Sequence, residues 1–150
     1  MIALKNELIQ AANCYIDENH KDFSELGKRF FDVFSYNKSN DNISTQVRNL
    51  QQITCSATRF ADIEFFVKNQ MGKEKKDDKN PRWRALGDDG QALGDEILQK
   101  LNQLREKSLE LDKDSANQMA LRLRLARGWV RAVVGEYLYQ VALDQMGGNA

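Results

Sequence analysis

Apolar residues recur along this chain at spacings of three and four, which puts them on one face of a helix. Leu4, Leu8, Ala11, Ala12 and Tyr15 form one such stripe and predict a first helix over residues 2–19. Phe23, Leu26, Phe30, Phe31 and Phe34 form a second stripe, over residues 22–34. Aromatic stripes at this spacing belong to cores far more often than to ligand sites. Residues 36–43 (YNKSNDNI) read as a polar loop, because Asn, Asp and Ser hydrogen-bond nearby backbone in turns. Ser44 or Thr45 then caps a third helix. Val47, Leu50, Ile53, Ala57, Phe60, Ile63 and Phe66 carry it to Met71, and Gly72 follows as a stop.

The pattern lapses over residues 73–90 (KEKKDDKNPRWRALGDDG), which hold the chain's one proline, Pro81. Composition predicts a charged, flexible loop there. Trp83 between two arginines is its unusual feature, since an exposed Trp seeks a partner or packs back on its own domain. Leu93, Ile97, Leu101, Leu104 and Leu111 predict a fourth helix over residues 92–111. Asp114 or Ser115 caps a fifth, which runs to about Gln145 and is ended by Gly147 and Gly148. The expected fold is all-α: a single-domain helical bundle of about five helices over residues 1–150, with a charged loop before the fourth and no internal repeat.

Composition narrows the function classes. Lys plus Arg and Asp plus Glu both number 22, so the net charge is zero and any nucleic-acid contact has to come from local clustering. No window reaches the roughly 18 apolar residues of a membrane span. Lys5, Asn6 and Glu7 interrupt the N-terminal stretch, where a signal peptide would be apolar. The expected location is the cytoplasm, with Cys14 and Cys55 as reduced, mostly buried thiols. His20 is the lone histidine. Neither a His-based metal site nor a His-containing catalytic pair is expected, nor any cofactor.

The arginines are more informative. The fifth helix carries Arg122, Arg124, Arg127 and Arg131, and the last three share a face at i, i+3 and i+7. Gly128 and Gly135 lie beside them and would admit another backbone. Leu123, Ala126, Val130, Val133, Val134, Tyr137, Leu138 and Val141 form the apolar face expected in the core. No acid lies between Ser115 and Gly135. The third helix repeats the theme: Arg48 and Arg59 are about three turns apart and are expected to point the same way. Guanidinium forks match phosphate oxygens, so such rows suit an anionic backbone.

Two stretches carry a resemblance. Ser44-Thr45-Gln46-Val47-Arg48-Asn49-Leu50 resembles a helix opening in the small subunit of type III CRISPR–Cas effector complexes, A-branch, with the B-branch small subunit as the near alternative. Residues 121–131 (LRLRLARGWVR) are similar to that family's later helix through Leu121, Arg122, Arg124, Leu125, Ala126 and Arg131. Leu123, Arg127 and Val130 depart from its usual Pro, aromatic and Gly. The resemblance implies a small, all-helical, non-catalytic protein whose copies stack along the complex. Its partners would be the effector's backbone and large subunits, guide RNA and target RNA. By matched position, Arg48, Arg122, Arg124 and Arg131 would contact RNA or a neighbouring subunit. Arg59 and Arg127 join them on the helical-face argument.

Two other readings compete. A helical protein–protein adaptor would dock through Trp83, Trp129 and the Gly128/Gly135 face. A helical nuclease is weaker, for want of a His-based catalytic pair.

Overall fold

The computed structural model describes residues 4–34 and 44–147. The described chain forms helices α1 (Asn6–Glu18), α2 (His20–Phe34), α3 (Thr45–Ser56), α4 (Phe60–Lys73), α5 (Leu93–Leu111) and α6 (Ser115–Gly147). No strand forms among these residues beyond one isolated antiparallel bridge between Leu86 and Ala92. The expected polar loop at 36–43, the helix start at 2–3 and the stop at Gly148 lie outside the described residues.

Everything is arranged around α6. The Asp114 carboxylate opens it by accepting the Ala116 N–H at 3.0 Å. Leu121, Leu123, Leu125, Ala126, Trp129, Val130, Val133, Val134 and Tyr137 are all buried. They cover most of the helix circumference, as in a helix enclosed by others, and α6 touches every other helix. Leu138 departs from the expected core face and is exposed, while Val141 is partly buried. The enclosing helices end their cover at about Tyr137.

The pairings along α6 set the topology. α1 and α2 form a nearly continuous path, broken at Asn19, whose amide side chain bonds the Tyr15 carbonyl at 2.8 Å. This path runs parallel to α6: Asn13 meets Arg124, Ile16 lies over Gly128, and Gly27 lies on Val133 and Glu136. A Cβ added at Gly27 would sit 2.5 Å from the Val133 carbonyl oxygen, so only glycine allows this approach. α3 runs the other way, with the Ser44 N–H donating to Tyr137 Oη at 3.1 Å and Arg127 bonding the Ala57 carbonyl at 3.3 Å. α4 and α5 are antiparallel, joined by Glu64 with Arg105 at one end and by Met71 over Gly94 at the other.

The bundle has six helices among the described residues, not five. The expected third helix is two. Ser44 caps α3 through its hydroxyl, which accepts from the Gln46 N–H at 3.2 Å. Twelve residues later the run Thr54-Cys55-Ser56-Ala57-Thr58 ends it. The Thr54 and Ser56 hydroxyls turn back onto the carbonyls of Leu50 and Gln52, each at 2.7 Å. Such side chains compete with the helix ladder. Ala57 and Arg59 adopt extended backbone, and α4 starts in a new direction.

Cys14 and Cys55 are both free and both exposed, which corrects the expectation of mostly buried thiols. Helical period explains this. Ala12 is the buried residue of α1, and Cys14 is two positions, or about 200°, away from it. Val47, Leu50 and Thr54 make the buried stripe of α3, and Cys55 falls beside it.

The charged segment before α5 is anchored to the bundle. Both Glu74 carboxylate oxygens accept backbone N–H groups, from Arg82 (3.1 Å), Trp83 (2.8 Å) and Arg84 (2.9 Å). Trp83 is 2% exposed, edge-on to Phe34 and Phe66. Arg29 bonds the carbonyls of Ala85 (3.1 Å) and Gln91 (2.8 Å) and pairs with Glu96.

Candidate nucleic-acid interface

Once the helices are placed, the six arginines separate into distinct environments. Arg48 on α3 and Arg131 on α6 are exposed, and neither makes a hydrogen bond or ion pair among the described residues. Arg124 and Arg127 lie on the same α6 face as Arg131 and are half-buried. Arg124 reaches the Asn13 side-chain oxygen at 3.4 Å, and Arg127 the Ala57 carbonyl at 3.3 Å. The Nε of each is buried without a partner. Among the described residues their charges meet neutral dipoles and no carboxylate. Each guanidinium has five N–H donors, so one neutral acceptor leaves most of its capacity unused.

The other two arginines stand apart. Arg122 points away from this face into α5, where its Nε donates to Ser108 Oγ at 3.0 Å. That direction follows from its position, about 200° around the helix from Arg124. Arg59 is the residue before α4 and forms an exposed ion pair with Asp62 at 2.8 Å. The hydrogen bond to Asp62, then its negative charge, raises the Arg59 pKa above its ordinary value. The expectation that Arg59 continues the Arg48 face fails, because it assumed a helix unbroken between them.

The two glycines of the α6 face also differ. Gly128 is filled by the Ile16 side chain of α1, so what it admits is a side chain of the protein's own and not another backbone. At Gly135 no described atom beyond its own turn of helix backbone lies within 4 Å of where a Cβ would stand. Tyr139, one turn further along, is 57% exposed. The apolar pattern alone did not mark Tyr139, because it lies next to residues that look like core.

The two tryptophans of the adaptor reading are both interior. Trp129 is fully buried, and its indole N–H has no partner. A cleft of about 670 Å³ beside Trp83 is lined by Lys73 and Lys75 on one hand and by Glu74, Asp77 and Asp78 on the other. Its charges nearly cancel, so it offers no attraction to a polyanion.

His20 is exposed at the start of α2, with Nδ1 3.5 Å from Ser24 Oγ. No group of three or more His, Cys, Asp or Glu that could hold a metal occurs among the described residues. No helix among them is long and apolar enough to cross a membrane. No protein-family model, curated protein or solved structure matches the chain.

Proposed function

We propose that this protein is a non-catalytic, RNA-contacting small subunit of a type III CRISPR–Cas ribonucleoprotein acting in antiviral defence. Arg124, Arg127 and Arg131, with Arg48 on α3, contact the RNA phosphate backbone. Its partners are guide and target RNA, the effector's backbone and large subunits, and further copies of itself. The observation that carries this reading is a face of α6 whose arginines meet no carboxylate among the described residues. Folded domains normally balance such charges, and here the uncommitted donors suit an external anion. Phosphate contacts give affinity and register without reading bases.

Arg59 and Arg122 have a different part in this scheme. Arg59 is occupied by Asp62, and Arg122 ties α6 to α5. The adaptor reading loses its two anchors, since Trp83 and Trp129 are interior. It retains the exposed apolar residues at the end of α6, Leu143 and Met146.

Binding of RNA to the full chain, followed across a salt series, tests the proposal. Affinity is expected to fall steeply as salt rises, and Arg48→Glu with Arg131→Glu is expected to flatten that slope. A tagged chain recovered from its host is expected to carry guide RNA and effector subunits. Salt-insensitive association with a protein and no RNA would overturn the proposal and leave the adaptor reading.

A further inference from the structure

Gly135 sits in the interior of a 33-residue helix. Glycine is among the poorest helix formers, so a glycine at such a site usually answers to a close neighbour. Three other helical glycines have one: Gly27 has Val133, Gly94 has Met71 and Gly128 has Ile16; Gly72 and Gly147 have none, but they stand in the last two positions of their helices, where glycine is common. Gly135 has none. Among the described residues, nothing accounts for the missing side chain.

The surroundings show how the gap arises. Gly135 is seven residues after Gly128 and shares its face of α6. α1 covers that face at Gly128 and ends at Glu18. The break at Asn19 then swings the chain, and α2 lies on Val133 and Glu136 instead. Among the described residues, the line that α1 occupies is therefore left open from Gly135 onward. Arg131, exposed and without a partner among the described residues, bounds the opening one turn before, and Tyr139, 57% exposed, one turn after. The three span about 12 Å along the helix. Helical side chains lean toward the N-terminus, so the Tyr139 ring is directed over the turn that begins at Gly135. No acid shares the stripe, since Glu136 faces α2 and Asp144 is on the far side.

A cation, a bare strip of backbone and an exposed aromatic ring in sequence match one kind of ligand, an anion that also carries a flat apolar face. We infer that Arg131, Gly135 and Tyr139 form a platform for one unpaired nucleotide of a single-stranded RNA, its phosphate on Arg131 and its base stacked on Tyr139. This inference rests on the RNA-contacting reading and adds strand selectivity to it. A paired base is sandwiched in its own duplex and offers no free face, whereas stacking on an aromatic side chain accepts any unpaired base.

The test uses the full-length protein at low salt, with a short fluorescein-labelled oligouridylate and an RNA duplex of equal length. Tyr139→Ala and Gly135→Leu are expected to weaken oligouridylate binding by about 5- to 100-fold, the range that loss of one base stack produces. Tyr139→Phe is expected to bind like the wild type, and all three variants are expected to bind duplex like the wild type. Leucine is a strong helix former and its Cβ meets no described neighbour at this exposed position, so Gly135→Leu fills the gap while retaining the helix. If Arg131→Glu lowers binding but Tyr139→Ala does not, the platform is overturned while the RNA reading survives. If neither RNA binds, both fall. If Tyr139→Ala instead dissociates an oligomer and leaves RNA affinity unchanged, the stripe is a protein contact and the platform is overturned.

Discussion

The indole N–H of Trp83 donates to the side-chain oxygen of Gln46 at 3.0 Å, across 37 positions of sequence. The bond closes the charged segment onto α3, and the ring is held edge-on by Phe34 (5.2 Å between centroids) and Phe66 (5.8 Å). Three helices and the segment therefore share one side chain. Trp83→Ala is expected to destabilise the fold by about 3–5 kcal/mol, the usual cost of deleting a buried aromatic. Gln46→Ala is expected to cost less, about 1 kcal/mol, because it removes one hydrogen bond beside an open cleft. Urea denaturation of the three proteins checks both. Equal stability of Trp83→Ala and wild type would mean that the segment does not dock in solution.

That segment shows where sequence reading stops. Its composition of Lys, Asp, Gly and Pro describes solvated chain. Its anchors are Glu74, satisfied by backbone N–H groups eight to ten positions later, and Arg29, which bonds carbonyls 56 and 62 positions away. Backbone partners have no side-chain signature, so no periodicity or motif announces them. The helices were legible because their signals are local. Ser44 and Asp114 cap where their residue types promise, and the stripes of α2 and α5 are buried except at Phe31 and Leu111, which are partly buried. The division of the third helix had a signal too. Thr54, Ser56 and Thr58 crowd into five positions, but the apolar stripe runs on through Ala57 and Phe60 and masks them. The arginine face was half legible. Spacing put Arg124, Arg127 and Arg131 together, but only the fold shows that the first two lean on Asn13 and Ala57.

The exposed thiols give a direct chemical check on the placement of α1 and α3. Cys14 and Cys55 are both expected to react with a thiol-titrating disulfide reagent in the native protein, at rates close to those in denaturant. A native protein in which only one thiol reacts would place one of the two helices wrongly.

The α5–α6 turn makes a pH-dependent contribution. The Asp112 carboxylate accepts the Asp114 N–H at 2.9 Å and the Asn117 side-chain amide at 2.7 Å. The Asp114 N–H is the larger cause, followed by Asn117, and together they lower the Asp112 pKa below its ordinary 3.8. A carboxyl that is more acidic when folded stabilises the fold at pH values above its unfolded pKa. That contribution is lost as the pH falls through the lower, folded value. Asp112→Asn is expected to melt at a lower temperature than wild type at neutral pH. The gap is expected to close as the pH drops below 3.8. Melting curves across that range test it, and a constant gap would show that the charge of Asp112 is irrelevant.

Gly27 and Gly135 are both helix-interior glycines, and the structure assigns opposite signs to the same substitution. Alanine is the better helix former by about 1 kcal/mol, so propensity alone favours Gly→Ala at either site. At Gly27 the new methyl meets the Val133 carbonyl oxygen at 2.5 Å and Glu136 Cβ at 2.7 Å. The first is backbone of the central helix and cannot turn aside, so α2 has to move off α6. Overpacking of this kind costs about 1–3 kcal/mol, which exceeds the propensity gain. At Gly135 the methyl meets nothing within 4 Å, and the propensity gain remains. Gly27→Ala is therefore expected to lower stability, by up to about 2 kcal/mol. Gly135→Ala is expected to raise it by about 0.5–1 kcal/mol. Denaturation of the two variants under one condition decides the matter. A destabilised Gly135→Ala would mean that the open stripe is already covered in the isolated protein, and the vacancy assigned to an RNA base would not exist.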